Sequence, residues 1–244
     1  MIKPEDIQLA QTLGYTLDTA DMANLANDLN QHFPGLELNK LLNKFEELLA
    51  AYSTQPENKK IKYENTPEPL LRIQYLSANY DDDIEGLTLS RIFRYNKQKL
   101  IAEHEYFVLP EKARGKKIGK KVLSACLEQY LNMNVKEIHV HAGLKDGGVV
   151  WAKVGFKALY RFEMNRILNS AQQLLTTEQY VTAKVLYDLY YNTEPNGISF
   201  PIEDWAYLDF MENILKLDTN NWHGWIDLTN LQELLNFKNY VDRQ

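Results

Sequence analysis

Residues Phe107-Val108-Leu109-Pro110-Glu111-Lys112-Ala113-Arg114-Gly115-Lys116-Lys117-Ile118-Gly119-Lys120-Lys121-Val122-Leu123 decide how this chain is to be read. An apolar run ends at Pro110 and a basic, glycine-containing turn follows. Ile118, Val122, Leu123, Cys126, Leu127, Tyr130 and Leu131 then recur at helical spacing. Six of the 27 basic residues (Lys112, Arg114, Lys116, Lys117, Lys120 and Lys121) fall in the ten positions 112–121, in a chain whose formal net charge is −6. Cations at a helix start oppose the helix dipole unless an anion sits there. Main-chain N–H groups of such a turn converge on one spot and suit a phosphate or pyrophosphate. The dipole contributes about 0.3–1 kcal/mol, and roughly 2 when partly buried. A nucleotide-triphosphate loop does not fit. It needs four residues between its glycines and then Lys-Ser/Thr, whereas Gly115 and Gly119 enclose three and Lys121 replaces the hydroxyl residue. A dinucleotide G-x-G-x-x-G is also absent.

Upstream, Leu70 to Ser77, Leu87 to Tyr95 and Leu100 to Leu109 read as strands separated by short polar breaks, which predicts an antiparallel meander. The first break holds the acidic residues Asp81, Asp82 and Asp83, which read as an exposed turn. Downstream, a helix over 117–133 is followed by a strand over 136–142, a short helix near 148–153 and a strand near 156–160. Residues 1–60 are expected to form a helical arm, with Pro4 in a first helical turn and a helix over 36–49. The proline-punctuated stretch Ser53–Pro69 reads as a linker. From 165 onward, helices are expected over 165–175, 177–191, 202–217 and 227–237, with Trp205, Trp222 and Trp225 as core anchors. The fold class is therefore α+β: a mixed, mostly antiparallel sheet with flanking helices, plus helical N- and C-terminal extensions. The expected domains are a helical arm (1–60), a core (61–164) and a helical extension (165–244).

Composition narrows the class. The chain has 244 residues, 45% of them apolar, with 28 aromatic side chains and a single cysteine, Cys126. Disorder, a disulfide scaffold and an integral membrane protein are excluded on these grounds, since no apolar run approaches the roughly 20 residues of a membrane span. The start MIKPEDIQLAQTLGY lacks a signal-peptide apolar core, so a cytoplasmic setting is expected. The acidic net charge argues against general binding to nucleic acid or to a membrane surface.

Arg114-Gly115-Lys116-Lys117-Ile118-Gly119 resembles the acyl-CoA pyrophosphate loop, Arg/Gln-x-x-Gly-x-Gly/Ala, of the GNAT acetyltransferase superfamily. About 35 residues on, Trp151-Ala152-Lys153-Val154-Gly155-Phe156 resembles the family's closing Tyr-x-x-x-Gly-Phe. The resemblance covers roughly residues 65–162. It implies an N-acetyltransferase that uses acetyl-CoA and an amine acceptor, with no metal. Val108, Leu109, Arg114, Gly115, Lys116, Lys117, Ile118, Gly119 and Lys120 would bind the cofactor. Three departures stand out: Lys117 replaces the middle glycine, Trp151 replaces a tyrosine that often protonates the departing thiolate, and the two helices usual between the first two strands are missing at 77–87. The departures motivate an alternative, a catalytically silent GNAT-like module that binds CoA or a protein partner.

On the strand before the loop, alternation places Ile101, Glu103, Glu105 and Phe107 on one face and Ala102, His104 and Tyr106 on the other. The family often carries its base on this strand, which makes Glu103 the first catalytic candidate and Glu105 the second. His104 and Cys126 read as core residues. His139 and His141 share a strand face, but no further ligands at metal-site spacing accompany them. Oligomer contacts, if any, are assigned to the C-terminal helices.

Overall fold

Pro4 pre-sets the backbone for the first turn of α1 (Pro4–Thr12), and Asp6 closes that turn by accepting the Lys3 N–H at 2.6 Å. The computed structural model describes residues 1–82, 84–143 and 146–242. Asp83 of the acidic turn lies outside them. The chain divides into two compact units, Met1–Glu137 with Lys238–Gln244, and Ile138–Phe237.

In the first unit α1 leads into β1 (Tyr15–Asp18), α2 (Leu25–His32), α3 (Leu38–Leu49), β2 (Asn58–Glu64), β3 (Leu70–Leu76), β4 (Thr88–Asn96), β5 (Lys99–Val108) and α4 (Ile118–Asn132). The sheet order is β1-β2-β3-β4-β5; β1 pairs parallel with β2 and the remaining pairs are antiparallel. Cross-strand rows define its buried face: Tyr63–Leu71–Phe93–Ala102, Ile61–Ile73–Arg91–His104 and Lys59–Tyr75–Leu89–Phe107. Phe93 meets Tyr130 of α4 edge-on at 5.8 Å, and Phe33, just after α2, meets Tyr63 at 6.5 Å, so the helices cover this face. Each fully buried side chain of this size contributes about 1.5–3 kcal/mol.

The strand meander and α4 match the sequence expectation; two other segments differ. The segment expected to be a linker contains β2, and the expected helical arm contains β1. In β2 the inward positions are Lys59, Ile61 and Tyr63, and buried Lys59 breaks the apolar alternation. It is tolerated there because its Nζ lies 2.7 Å from Glu46 and 2.5 Å from Glu57. With β1 first, α2 and α3 lie between the first two strands of the chain. Among the described residues no helix lies over 77–87, as expected.

The second unit contains β6 (Glu137–Ala142, all but its first residue), α5 (Gly147–Val154), β7 (Lys157–Ala158), α6 (Arg161–Leu174), α7 (Thr177–Thr193), α8 (Ile202–Ala206), α9 (Asp209–Leu215), β8 (Trp222–Asp227) and most of α10 (Leu231–Asp242). Its strand order is β6-β8-β7, with β7 and β8 antiparallel. Strand β8 was expected as part of the helical extension. Its residues Trp222, Gly224 and Ile226 point inward at period two, a signal too short and too glycine-diluted to stand out. The helix expected over 202–217 is two short helices broken at Tyr207-Leu208. Trp205 and Trp222 are fully buried anchors, whereas Trp225 is partly exposed under the Lys157 ammonium at 4.3 Å. No helix among the described residues is long and apolar enough to cross a membrane.

Candidate active site

The glycines and lysines of the turn ahead of α4 set its path. After a 3-10 turn over Glu111–Ala113, Arg114 is extended, Gly115 adopts φ +73° and Lys117 adopts φ +61°. A Cβ on Gly115 would meet nothing within 4 Å, so the left-handed backbone, not crowding, requires glycine there. Lys117 adopts the left-handed conformation that a glycine takes freely. For a side-chain-bearing residue this costs roughly 1–2 kcal/mol. Lys117, which stands where the resemblance expects a glycine, thus takes up a backbone conformation that glycine favours.

No side chain caps α4; its first main-chain bond runs from the Lys121 N–H to the Lys117 carbonyl at 3.1 Å. The amides of Glu111, Ala113 and Arg114 are bonded to the carbonyls of Ile84, Pro110 and Glu111. Among the described residues, those of Gly115, Lys116, Lys117, Ile118 and Gly119 make no such main-chain bond. An uncapped helix start with left-handed residues before it is a concave set of donors suited to an anion.

The side chains around this turn are held in place. Arg114 Nε donates to the Leu109 carbonyl at 3.0 Å and closes the loop. Lys116 Nζ lies 5.4 Å from the Tyr52 ring centre, and Lys120 Nζ 4.9 Å from that of Tyr240. Ile118 is buried, and a Cβ on Gly119 would touch Phe107 at 3.6 Å and Leu109 at 3.8 Å, ordinary contacts that leave room for alanine. Val108, half-buried, pairs with Thr88 at the end of β5, with Leu109 next to it. Ile84, Glu85, Glu111 and Lys112 line an adjoining depression of about 390 Å³. The structure therefore gathers all nine expected cofactor-binding positions on one strand end and one helix start.

Glu103 and Glu105 both emerge on the face opposite α4. Glu103 accepts Arg94 Nε at 2.7 Å as well as Arg94 Nη2. Glu105 accepts Arg72 Nη2 at 2.9 Å and Ser90 Oγ at 2.7 Å. The expected alternation fails one residue later. Ser90 pairs with Tyr106 and Arg91 with His104, so Glu105 is an extra residue, a β-bulge. The bulge moves Tyr106 to the carboxylate face and Phe107 to the α4 face, the reverse of the alternating pattern.

The bulge is braced by Arg91, a residue that no sequence pattern singles out. Its guanidinium is buried; Nη1 donates to the carbonyls of Ser90 (2.9 Å) and Tyr106 (3.1 Å), and Phe107 lies 5.2 Å beneath it. His104 shares this pocket, its Nε2 2.7 Å from the Tyr130 hydroxyl. Burial, aided by the Arg91 charge, holds its pKa well below the usual histidine value. Burial likewise pushes the Cys126 thiol up.

In the second unit Gly155 ends α5 at φ +101°, and Trp151 packs edge-on against Phe156 at 5.3 Å. An indole N–H donates but does not release its proton. His141 stacks on His223 at 4.3 Å, and burial followed by the His223 charge lowers its pKa. Among the described residues, no group of three or more His, Cys, Asp or Glu is placed to hold a metal.

Residues 37–156 match the family model described as Acetyltransferase (GNAT) family. No curated protein and no solved structure matches the chain.

Proposed function

The core of the chain, residues 37–156, belongs to the GNAT acetyltransferase family, and from that premise we propose that the protein is an acyl-CoA-dependent N-acetyltransferase acting on an amine. The observation that carries this reading is the uncapped, left-handed basic turn before α4, with five main-chain amides outside any main-chain bond. In this reading those amides and the first-turn dipole hold the diphosphate of acetyl-CoA, and Arg114, Lys116 and Lys120 offset its charge.

The acceptor nitrogen attacks the thioester carbonyl in a ternary complex. A C–N bond forms, the C–S bond breaks, the CoA thiolate leaves, and the amine sheds a proton. A lysine-like ammonium with pKa near 10.4 must first be neutralised, which costs about 4.6 kcal/mol at pH 7. Glu103 is the assigned base and Glu105 the second, each aimed by its arginine. The CoA thiolate, a group with a pKa near that of a free thiol, about 8.5, departs without an acid from Trp151.

A second reading is favoured by Trp151 alone: a silent module that binds acetyl-CoA without turnover. Calorimetric titration with acetyl-CoA tests the main proposal, with saturable binding expected; no heat at millimolar ligand overturns it. Thiol release in the same samples on adding an amine panel separates the enzyme from the silent module. We further place the protein in the cytoplasm, supported by its lone, buried thiol.

A further inference from the structure

Arg91 of β4 is 1% exposed, yet no carboxylate among the described residues pairs with it. Its neighbours on the sheet differ: Arg72 pairs with Glu105 and Arg94 with Glu103. Arg91 Nη1 donates to the carbonyls of Ser90 and Tyr106, while Nε and Nη2 are buried with no acceptor at hydrogen-bonding distance. The titratable groups that feel its charge are His104, Cys126 and Tyr130. Burial keeps the imidazole from taking a second proton and pushes both the thiol and the phenol up, so all three stay neutral. A guanidinium does not shed its own proton in a protein. The pocket between β4, β5 and α4 therefore carries one uncompensated positive charge.

Two carbonyls need two N–H donors, which a neutral side-chain amide supplies as well, so bracing the bulge does not account for a charge. Its place in the fold does. Phe107 lies 5.2 Å from the guanidinium, and a Cβ on Gly119 would stand 3.6 Å from the same ring. One phenyl ring thus separates Arg91 from the turn before α4, whose amides from Gly115 to Gly119 make no main-chain bond. We propose that Arg91 is the buried counter-charge of the anion held at this turn, a positioning residue that acts on the cofactor diphosphate through the protein interior. This rests on the acyl-CoA reading above. Lys116 stands in solvent, where salt screens it; Arg91 lies beneath Phe107 and α4, where salt ions do not reach. At an effective permittivity of about 20, a unit charge roughly 10 Å from an anion changes its binding constant by about tenfold per ligand charge.

Calorimetric titration of the full chain with CoA tests this, at pH 6 and between about 50 and 500 mM KCl. Arg91→Gln, which keeps two donors and loses the charge, is expected to weaken CoA by at least about tenfold at every salt concentration. Lys116→Ala is expected to weaken it at low salt, with a loss that fades as salt rises. Arg91→Lys, which keeps the charge and gives up the fork, should bind CoA within about threefold of the unsubstituted protein; the low pH holds the proton on its ammonium. A merely structural role predicts the reverse order, with Gln tolerated and Lys not. That order, unchanged CoA affinity in Arg91→Gln, or a loss that fades with salt overturns the assignment and leaves the acyl-CoA reading intact. Failure of the unsubstituted protein to bind CoA removes both. Should Arg91→Gln not fold, Arg91→Lys alone decides, because a folded Lys variant that loses tenfold in affinity contradicts a role carried by charge.

Discussion

His104 and His223 sit in opposite electrostatic settings. His104, in the first unit, is buried between a guanidinium and a phenol, with Arg91 on the same cross-strand row and Tyr130 as its hydrogen-bond partner. Burial penalises a second proton there, and the Arg91 charge adds to the penalty. His223, in the second unit, faces a buried carboxylate and is half-exposed. The same side chain is thus a buried core element in one place and a carboxylate-held, solvent-facing ring in the other. Residue type alone does not separate these roles; the partner and the exposure do.

The largest expected effect comes from removing the partner. Glu163→Ala leaves the His223 main-chain N–H and ring without an acceptor and opens a void on α6. Breaking a buried pair costs about 3–5 kcal/mol, discounted here to about 3 because the imidazole reaches solvent. Urea unfolding should show this loss, and Glu163→Gln, which keeps the shape and one acceptor oxygen, should lose about 1 kcal/mol. Equal losses in the two variants would mean that charge, not shape, holds His223.

This contrast was only partly legible in the sequence. His104 reads as a core residue because Ala102 and His104 alternate with Glu103 on an apolar strand, and that expectation stands. The loop before α4 is legible because glycine and lysine at fixed spacing ahead of an apolar stripe have few other uses. Glu163 and His223 are 60 positions apart and become partners only because β8 forms, and β8 is four ordinary residues around two tryptophans. Arg91 and the bulge escaped for a different reason. An extra residue in a strand leaves no mark in a one-dimensional pattern, yet it reverses the faces of Tyr106 and Phe107. The buried Lys59 hid β2 because its two carboxylate partners come from separate segments, Glu46 in α3 and Glu57 before the strand.

The next effect in size is the pH dependence that His104 imposes. Its folded pKa lies well below 6.5, so below about pH 6.5 the unfolded chain binds a proton that the folded chain refuses. Stability from this group is complete above that pH and falls as pH drops, by about 1.4 kcal/mol per unit, until the folded pKa is reached. Denaturation midpoints from pH 7 down to 5 should trace this slope, and His104→Gln, which retains a donor and an acceptor for Tyr130, should flatten it. An unchanged slope in the variant would assign the acid sensitivity to other groups.

The smallest effect is also the most specific to the second unit. His141 is held low first by burial and then by the charge on His223, against an opposing pull from Glu163. His223→Asn removes the second of these while leaving the burial largely in place. The His141 titration followed by NMR should therefore move up toward the ordinary histidine value, and further so because Glu163 loses its competing partner. The stacked ring itself contributes little to stability, so the unfolding free energy should change by less than the Glu163→Ala loss. A His141 midpoint that stays put or falls would mean that the two imidazoles do not share a proton field, and the stack would then be packing alone.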